Sequence, residues 1–300
     1  MAQKILIDTD PGQDIDDLLA IWFALLRPEL QIVGITTVVW PTGRRARLVK
    51  RLLRYLDRLD IPVGVGADDP RRSFTPEEQT KWRNFAAAMN HACFAEPPDP
   101  LDNPANLMAV DLILRTIREH PGEVILACIA PPTNIAAALT ADPGIIPLVK
   151  SISLMGGEIA LDRSEHNIAF DHDSSRVVLE SGIPITMGTW SVTRQLVLDD
   201  ADCARIRERG TPLCIAMAEA IKAWHPVQSW KPGPVMYDLF PIVHSYDSAF
   251  YGTEEMRVRV ETEGENKGKT LLSDDGRLIN VTTAIEAEAL HRIYMETILT

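Results

Sequence analysis

Five short apolar runs recur along the chain, at 5–7, 32–39, 124–129, 152–155 and 183–187, and most of the stretches between them carry apolar residues at helical spacing. Runs that are apolar throughout belong to strands covered on both faces. A repeated strand, helix, strand order predicts an open, mostly parallel, Rossmann-like α/β sheet with helices on both faces. The helical segments fall near 16–26, 43–59, 106–119, 134–139, 174–180, 201–209 and 213–224; after a further strand near 256–262 the chain is expected to end in a helix over 283–299. With 300 residues, 46% of them hydrophobic, there is apolar material for one large core, and a single domain over 1–300 is expected.

Directly after the first run the sequence reads Asp8-Thr-Asp-Pro-Gly-Gln-Asp-Ile-Asp-Asp17, five carboxylates within ten positions. In an open α/β sheet the turn from a strand into the next helix is where ligands sit. Carboxylates this close raise one another's pKa unless a cation neutralises them, and hard oxygen ligands favour Ca²⁺ or Mg²⁺. Asp16 and Asp17 open the helix, where an Asp can cap free N–H groups, but capping accounts for one such residue and not five. An EF-hand is excluded because the loop follows a strand and lacks the closing Glu. The Asp8-Thr-Asp10 step also has the look of a haloacid-dehalogenase-type phosphatase, but Pro11-Gly12 and the Asp16-Asp17 pair do not belong to that pattern.

A net charge of −12 argues against a nucleic-acid partner, whose binding draws on clustered Lys and Arg. The one basic run, Arg44, Arg45, Arg47, Lys50 and Arg51, accompanies Leu48, Val49, Leu52, Leu53 and Leu56 at helical spacing and reads as the wet face of an amphipathic helix. The four cysteines show no CxxC spacing, which fits reduced thiols. Met1 runs into the first strand without a basic and apolar leader, and no stretch of about 18 apolar residues occurs. A cytoplasmic protein with no membrane contact is expected. Between 68 and 103 the periodicity fails, with Pro70, Pro76, Pro97, Pro98 and Pro100 among scattered aromatics, which reads as a long excursion or lid. The Pro- and Trp-rich stretch 224–234 could form the opposite wall of the same cleft.

The acidic segment resembles the N-terminal Asp-x-Asp-Pro-Gly-x-Asp-Asp motif of the inosine-uridine-preferring nucleoside hydrolase family. The likeness continues in order along nearly the whole chain. Val33-Gly-Ile-Thr-Thr-Val38 is similar to the family's second strand, Pro131-Pro-Thr-Asn134 to its Gly-Pro-Leu-Thr-Asn turn, and Leu154-Met-Gly-Gly157 to its Met-Gly-Gly strand end. Glu165-His-Asn167 parallels Glu-Phe-Asn, Met236-Tyr-Asp238 parallels the His-Asp pair, and 260–264 with 268–270 matches the closing strand and turn. The resemblance implies a nucleoside hydrolase fold and Ca²⁺-dependent cleavage of the N-glycosidic bond of a ribonucleoside or related N-riboside. It gives Asp10, Asp17, Asp238 and the Ile129 carbonyl to the metal, and Asp10 also to the attacking water. Asp16, Glu165 and Asn167 would grip the ribose. It further implies a homodimer or homotetramer. Carboxylates around the sugar suit this chemistry, because the bond breaks through an oxocarbenium-like state.

Several positions depart from the family pattern. Gln13-Asp-Ile15 stands where the motif has one residue, bringing Asp14 to the substrate side. Pro41, beside Trp40, and Ile159 stand where many members carry Asn, and Ser191 replaces an Asp. Tyr237 takes the place of the histidine that protonates the leaving base in pyrimidine-preferring members, and is the expected base-side catalytic residue. A tyrosine, with an ordinary pKa of about 10, suits stacking better than proton delivery. Trp40, Trp82, Trp224, Trp230 and Tyr237 could enclose the base, with Trp40 as a substrate contact and His91 and His225 as spare acids. Asn134 reads as a helix cap, Asp171 as a residue orienting the substrate loop through structure alone, and His244 and Asp247 as the start of a helix. The missing histidine also admits a catalytically weak riboside-binding protein.

Overall fold

The structure, a computed structural model, describes residues 2–88, 107–226, 228 and 232–300. The chain alternates as its apolar runs require: β1 (Gln3–Thr9), α1 (Asp16–Leu26), β2 (Leu30–Thr37), α2 (Thr42–Tyr55), β3 (Val63–Val65) and α3 (Pro76–Ala88). The middle third supplies α4 (Ala109–Glu119), β4 (Val124–Cys128), α5 (Thr133–Ala141), β5 (Ser151–Met155), α6 (His166–Phe170), α7 (His172–Glu180), β6 (Ile185–Gly188) and α8 (Trp190–Thr193). The last third supplies α9 (Asp200–Glu208), α10 (Pro212–Trp224), α11 (Leu239–His244), β7 (Tyr251–Val260), β8 (Thr270–Leu272), β9 (Arg277–Ile285) and α12 (Ala287–Ile298).

All nine strands form one sheet in the order β3-β2-β1-β4-β5-β6-β9-β7-β8, parallel from β3 through β9 and antiparallel where β7 joins β9 and β8. Side chains alternate across it with period two. Ile5, Ile7, Ile125 and Ala127 face one core, closed by α1, α2, α10, α11 and α12, whereas Leu6, Val124, Leu126 and Cys128 face the other, closed by α4, α5 and α7. Burial on both faces explains why these strands are apolar throughout. Within the first core Phe23 of α1 stacks on Tyr294 of α12, with ring centroids 5.5 Å apart. Fully burying a ring of this size contributes about 1.5–3 kcal/mol.

The chain leaves β1 toward β2 and β3 on one side and later returns to place β4, β5 and β6 on the other, so the strand order reverses between β1 and β4. The carboxyl ends of those two strands open a crevice. Thr9 and Asp10 stand at the end of one, Cys128 and Ile129 at the end of the other.

Three expectations need correction. Residues 283–285 are strand, not the start of the last helix: Ala284 and Ile285 pair with Gly252 and Tyr251, and α12 begins at Ala287. The β-branched Thr282, Thr283 and Ile285 suit a strand, and their partner lies too far away in sequence to be read locally. His244 ends α11 rather than beginning a helix. The excursion at 68–103 contains α3, its remainder from 89 lying outside the described residues. Among the described residues no helix is long and apolar enough to cross a membrane.

Candidate active site

The five carboxylates of the first motif separate at the end of β1. Asp8 is fully buried and does not line the crevice; Thr36 Oγ1 and Asn134 Nδ2 donate to its Oδ1 at 2.6 and 2.8 Å. Burial pushes its carboxyl up to about 7 against those two hydrogen bonds. Asn134 caps no helix. Its amide also donates to the Thr37 carbonyl at 3.0 Å and accepts from the Ala67 N–H at 3.1 Å, so it stitches together the ends of β1 and β2 and the loop after β3. Only glycine fits beside it, because a Cβ on Gly66 would lie 2.2 Å from Asn134 Oδ1.

Asp10, Asp14, Asp16 and Asp17 reach a cavity of about 400 Å³, where they meet Ile129, Glu165, Asn167, Tyr237 and Asp238. Pro11-Gly12 makes the turn that permits this. Gly12 has φ +107°, a conformation L side chains rarely adopt, and a Cβ there would touch Leu48 at 3.0 Å. Asp17 is fixed by the Thr9 hydroxyl and by the Asp10 N–H, 3.0 Å away. One oxygen each from Asp16, Asp17 and Asp238 lie within 4.8 Å of one another, a buried set able to hold a metal ion. Asp10 stands outside that tight triple. Burial, reinforced by Asp16, Asp8 and Asp14 and opposed by Arg45, pushes Asp10 up to about 7. Asp17 and Asp238 are pushed up too, by burial first and then by their acidic neighbours.

Arg45 is not on the wet face of α2, and neither is Arg51; both are buried. The helical wheel held the signal, since Arg45, Leu48, Val49 and Leu52 follow i, i+3, i+4, i+7 and share the apolar stripe. The Arg45 guanidinium donates to the carbonyls of Asp10, Pro11 (2.8 Å), Val39 (2.7 Å) and Trp40 (3.3 Å) and to Gln13 Oε1 (3.1 Å). It braces the enlarged acidic loop from behind, and it sets a positive charge beside Asp10 and Asp17. Replacing Arg45 with methionine is expected to cost about 3–5 kcal/mol, as loss of one member of a buried charged network does, read from the urea midpoint. Lysine should rescue little, because one ammonium cannot reproduce the planar fork.

Glu165 and Asn167 frame the opposite wall. Glu165 caps α6, accepting from the N–H groups of Asn167 (2.8 Å), Ile168 (3.1 Å) and Gly157 (3.0 Å). Asn167 Nδ2 donates to the Met155 carbonyl at 3.1 Å. Asp171 accepts from Thr133 Oγ1 and from the N–H groups of Arg71, Arg72 and Ser174, and so ties the loop before α3 to α5 and α7.

The aromatic surroundings differ from the sequence reading. Trp40 does not line the described cavity; the guanidinium of Arg83 lies over its ring at 5.3 Å. Trp224 is buried and its Nε1–H donates to Asp14 at 2.8 Å, so Asp14 also anchors α10 to the acidic loop. Trp82 packs on Phe170 and His166. His225 is not part of the lining, and His91 and Trp230 lie outside the described residues. The lining instead includes Trp190, clasped between Arg163 and Arg194 at 3.7 and 4.2 Å, together with Arg163, His166 and Gln228. Of these, His166 was visible in the sequence, in the position the family motif gives to Phe.

Sheet order and pocket together define the class: an open α/β protein with a carboxylate-rich ligand site at its switch point. The pattern of the inosine-uridine preferring nucleoside hydrolases matches residues 5–292. The chain is 32% identical over 288 residues to the pyrimidine-specific ribonucleoside hydrolase RihA of Salmonella arizonae and to that of Escherichia coli O1:K1, covering 91% of this chain and 89% of each relative. A purine-preferring ribonucleoside hydrolase from Gardnerella vaginalis has the same fold, with a TM-score of 0.86, 24% identity and coverage of 99% and 98%. A plant nucleoside hydrolase, PpNRh1, superposes with a TM-score of 0.85 at 22% identity, covering 100% of both chains. This chain belongs to the inosine-uridine preferring nucleoside hydrolase family and is an N-ribosyl hydrolase.

Proposed function

We propose that the chain hydrolyses ribonucleosides with the help of a Ca²⁺ ion, releasing the free base and ribose. The observation that carries this reading is the meeting of Asp10, Asp16 and Asp17 with Asp238, Glu165 and Asn167 around one cavity of about 400 Å³. Asp10, Asp17, Asp238 and the Ile129 carbonyl would hold the cation. The surroundings suit such an ion: Asp17 and Asp238 belong with Asp16 to a buried set of carboxylate oxygens within 4.8 Å of one another, Asp10 and Ile129 line the same cavity, and the donors are oxygens only. When bound, the cation supplies positive charge that orders the sugar hydroxyls and acidifies water in the pocket.

The remaining chemistry falls to the protein. Asp10, held by the Arg45-braced loop, accepts the proton of the attacking water. Asp16, Glu165 and Asn167 accept from and donate to the ribose hydroxyls, and Asp14 extends that rim. The acidic walls stabilise the positive charge that develops on the ring as the N-glycosidic bond lengthens. Tyr237 offers a flat surface to the base, and Trp190, its ring covered by Arg163 and Arg194, completes the wall beside it. The same reading takes the working protein as a cytoplasmic homodimer or homotetramer. The unpaired thiols of Cys128, Cys203 and Cys214 support a reducing compartment, and light scattering gives the assembly.

The deciding experiment is release of reducing sugar from a panel of purine, pyrimidine and nicotinamide ribosides, with Ca²⁺, after chelation, and after refilling with Ca²⁺ or Mg²⁺. Release that chelation abolishes and Ca²⁺ restores supports the proposal. Unchanged release after chelation would refute the metal's part, and ribose binding without turnover would favour a riboside-binding protein.

A further inference from the structure

We infer that His166 is the acid that protonates the departing base, a role Tyr237 is poorly suited to fill; this rests on the hydrolase reading above. His166 stands between Glu165 and Asn167, the two residues of α6 and its cap that face the sugar, and it is the one histidine among the described lining residues. Its ring is exposed and borders two cavities, the nucleoside cavity and a neighbouring one of about 500 Å³ walled by Phe74, Trp82 and Phe170. Trp82 lies 5.2 Å from it, centroid to centroid, with 31° between the planes. His166 shares the lining of the nucleoside cavity with Asp10, Tyr237 and Asp238, so it stands on the wall of the space a bound nucleoside would fill. The aromatic cavity beyond gives a flat base a surface to rest on as it leaves.

An imidazole titrates near neutrality, so it can carry a proton and surrender it at working pH, whereas a phenol ordinarily holds its proton to about pH 10. The charged groups around it are mixed in sign: Arg163 and Glu165 on its own segment, and Arg72, Glu78 and Lys81 across the second cavity. In the step, the bond between C1′ and the base nitrogen breaks and its electron pair goes to the base. The imidazolium proton passes to a base nitrogen, the water oxygen bonds to C1′, and the water's proton goes to Asp10. Solvent then reprotonates His166 and discharges Asp10, so that nucleoside and water give base and ribose.

The test compares wild type with His166→Gln and His166→Phe on inosine, uridine and cytidine and on p-nitrophenyl riboside, whose aglycone departs as a stable anion without needing a proton. The expected result is a loss of at least about 100-fold in kcat on the nucleosides, the lower end of general-acid effects, with p-nitrophenyl riboside turnover changed by less than about threefold. Equal losses on both substrate types would make His166 a packing residue, and no loss on either would remove it from the mechanism; each overturns the inference. Wild type that cleaves p-nitrophenyl riboside but none of the nucleosides also overturns it, and removes these nucleosides as substrates while leaving riboside cleavage in place. Wild type inactive on every riboside defeats the hydrolase reading itself, and the inference falls with it.

Discussion

Asp10→Asn is expected to lower kcat on ribonucleosides by about 10³-fold, within the range that removal of a general base produces, while leaving the fold in place. The substitution keeps the shape of the side chain and the backbone contacts of residue 10, whose N–H meets Asp17 and whose carbonyl meets Arg45. What disappears is the ability to take a proton from water. After chelation the variant should unfold at a higher temperature than chelated wild type, because one of several mutually repelling buried carboxylates has been neutralised. Stopped-time sugar assays and thermal melts on the same samples read both effects. Wild-type turnover in the variant would dismiss Asp10 as the base, and an unchanged melt would dismiss the repulsion.

The second large effect is a stability that depends on pH in opposite senses with and without cation. Asp8 and Asp10 are raised from 3.8 to about 7 in the folded protein, so between those values the folded chain binds more protons than the unfolded one. The stability that these two carboxyls contribute then falls as pH rises through the window and is lost above about 7. A carboxyl carried that far costs on the order of 4 kcal/mol once ionised. In a chelator the melting temperature should therefore drop from pH 5 to pH 7. With excess Ca²⁺ the carboxylates are needed in their ionised form, so the stabilisation by the cation should grow over the same interval. Parallel melting curves with and without the ion at every pH would contradict this.

Much of the architecture could be read in advance because its signals are local. Strands buried on both faces announce themselves as unbroken apolar runs, and the crowding of Asp10, Asp14, Asp16 and Asp17 pointed to the crevice at the sheet's switch point. Non-local features were harder. The strand at Arg277–Ile285 is received by β6 and β7 on either side, and its β-branched residues suit a strand without naming those partners. The charge of Arg45 points to solvent while its spacing from Leu48 and Val49 points to the buried face, and the spacing prevails. Residue type draws Trp40 and Trp224 to the base, and Trp40 also stands beside the family's Asn position, yet one lies under Arg83 and the other serves Asp14. His166 is masked in the sequence by the family motif, which assigns roles to Glu165 and Asn167 and a Phe to the position between them.

The carboxylates of the pocket come from opposite ends of the gene's reading order: Asp10, Asp16 and Asp17 from the first seventeen residues, Asp238 from beyond two hundred more. A chain still being synthesised has the first half of this site long before the second, and it can close the pocket only after β4 to β6 have filled the sheet and α11 has docked beside α1. Whatever occupies the pocket thus grips the first and last parts of the fold at once. Amide hydrogen exchange should show it: a bound ligand would slow exchange together in β1, α1 and α11, since none of them can open while the others hold it.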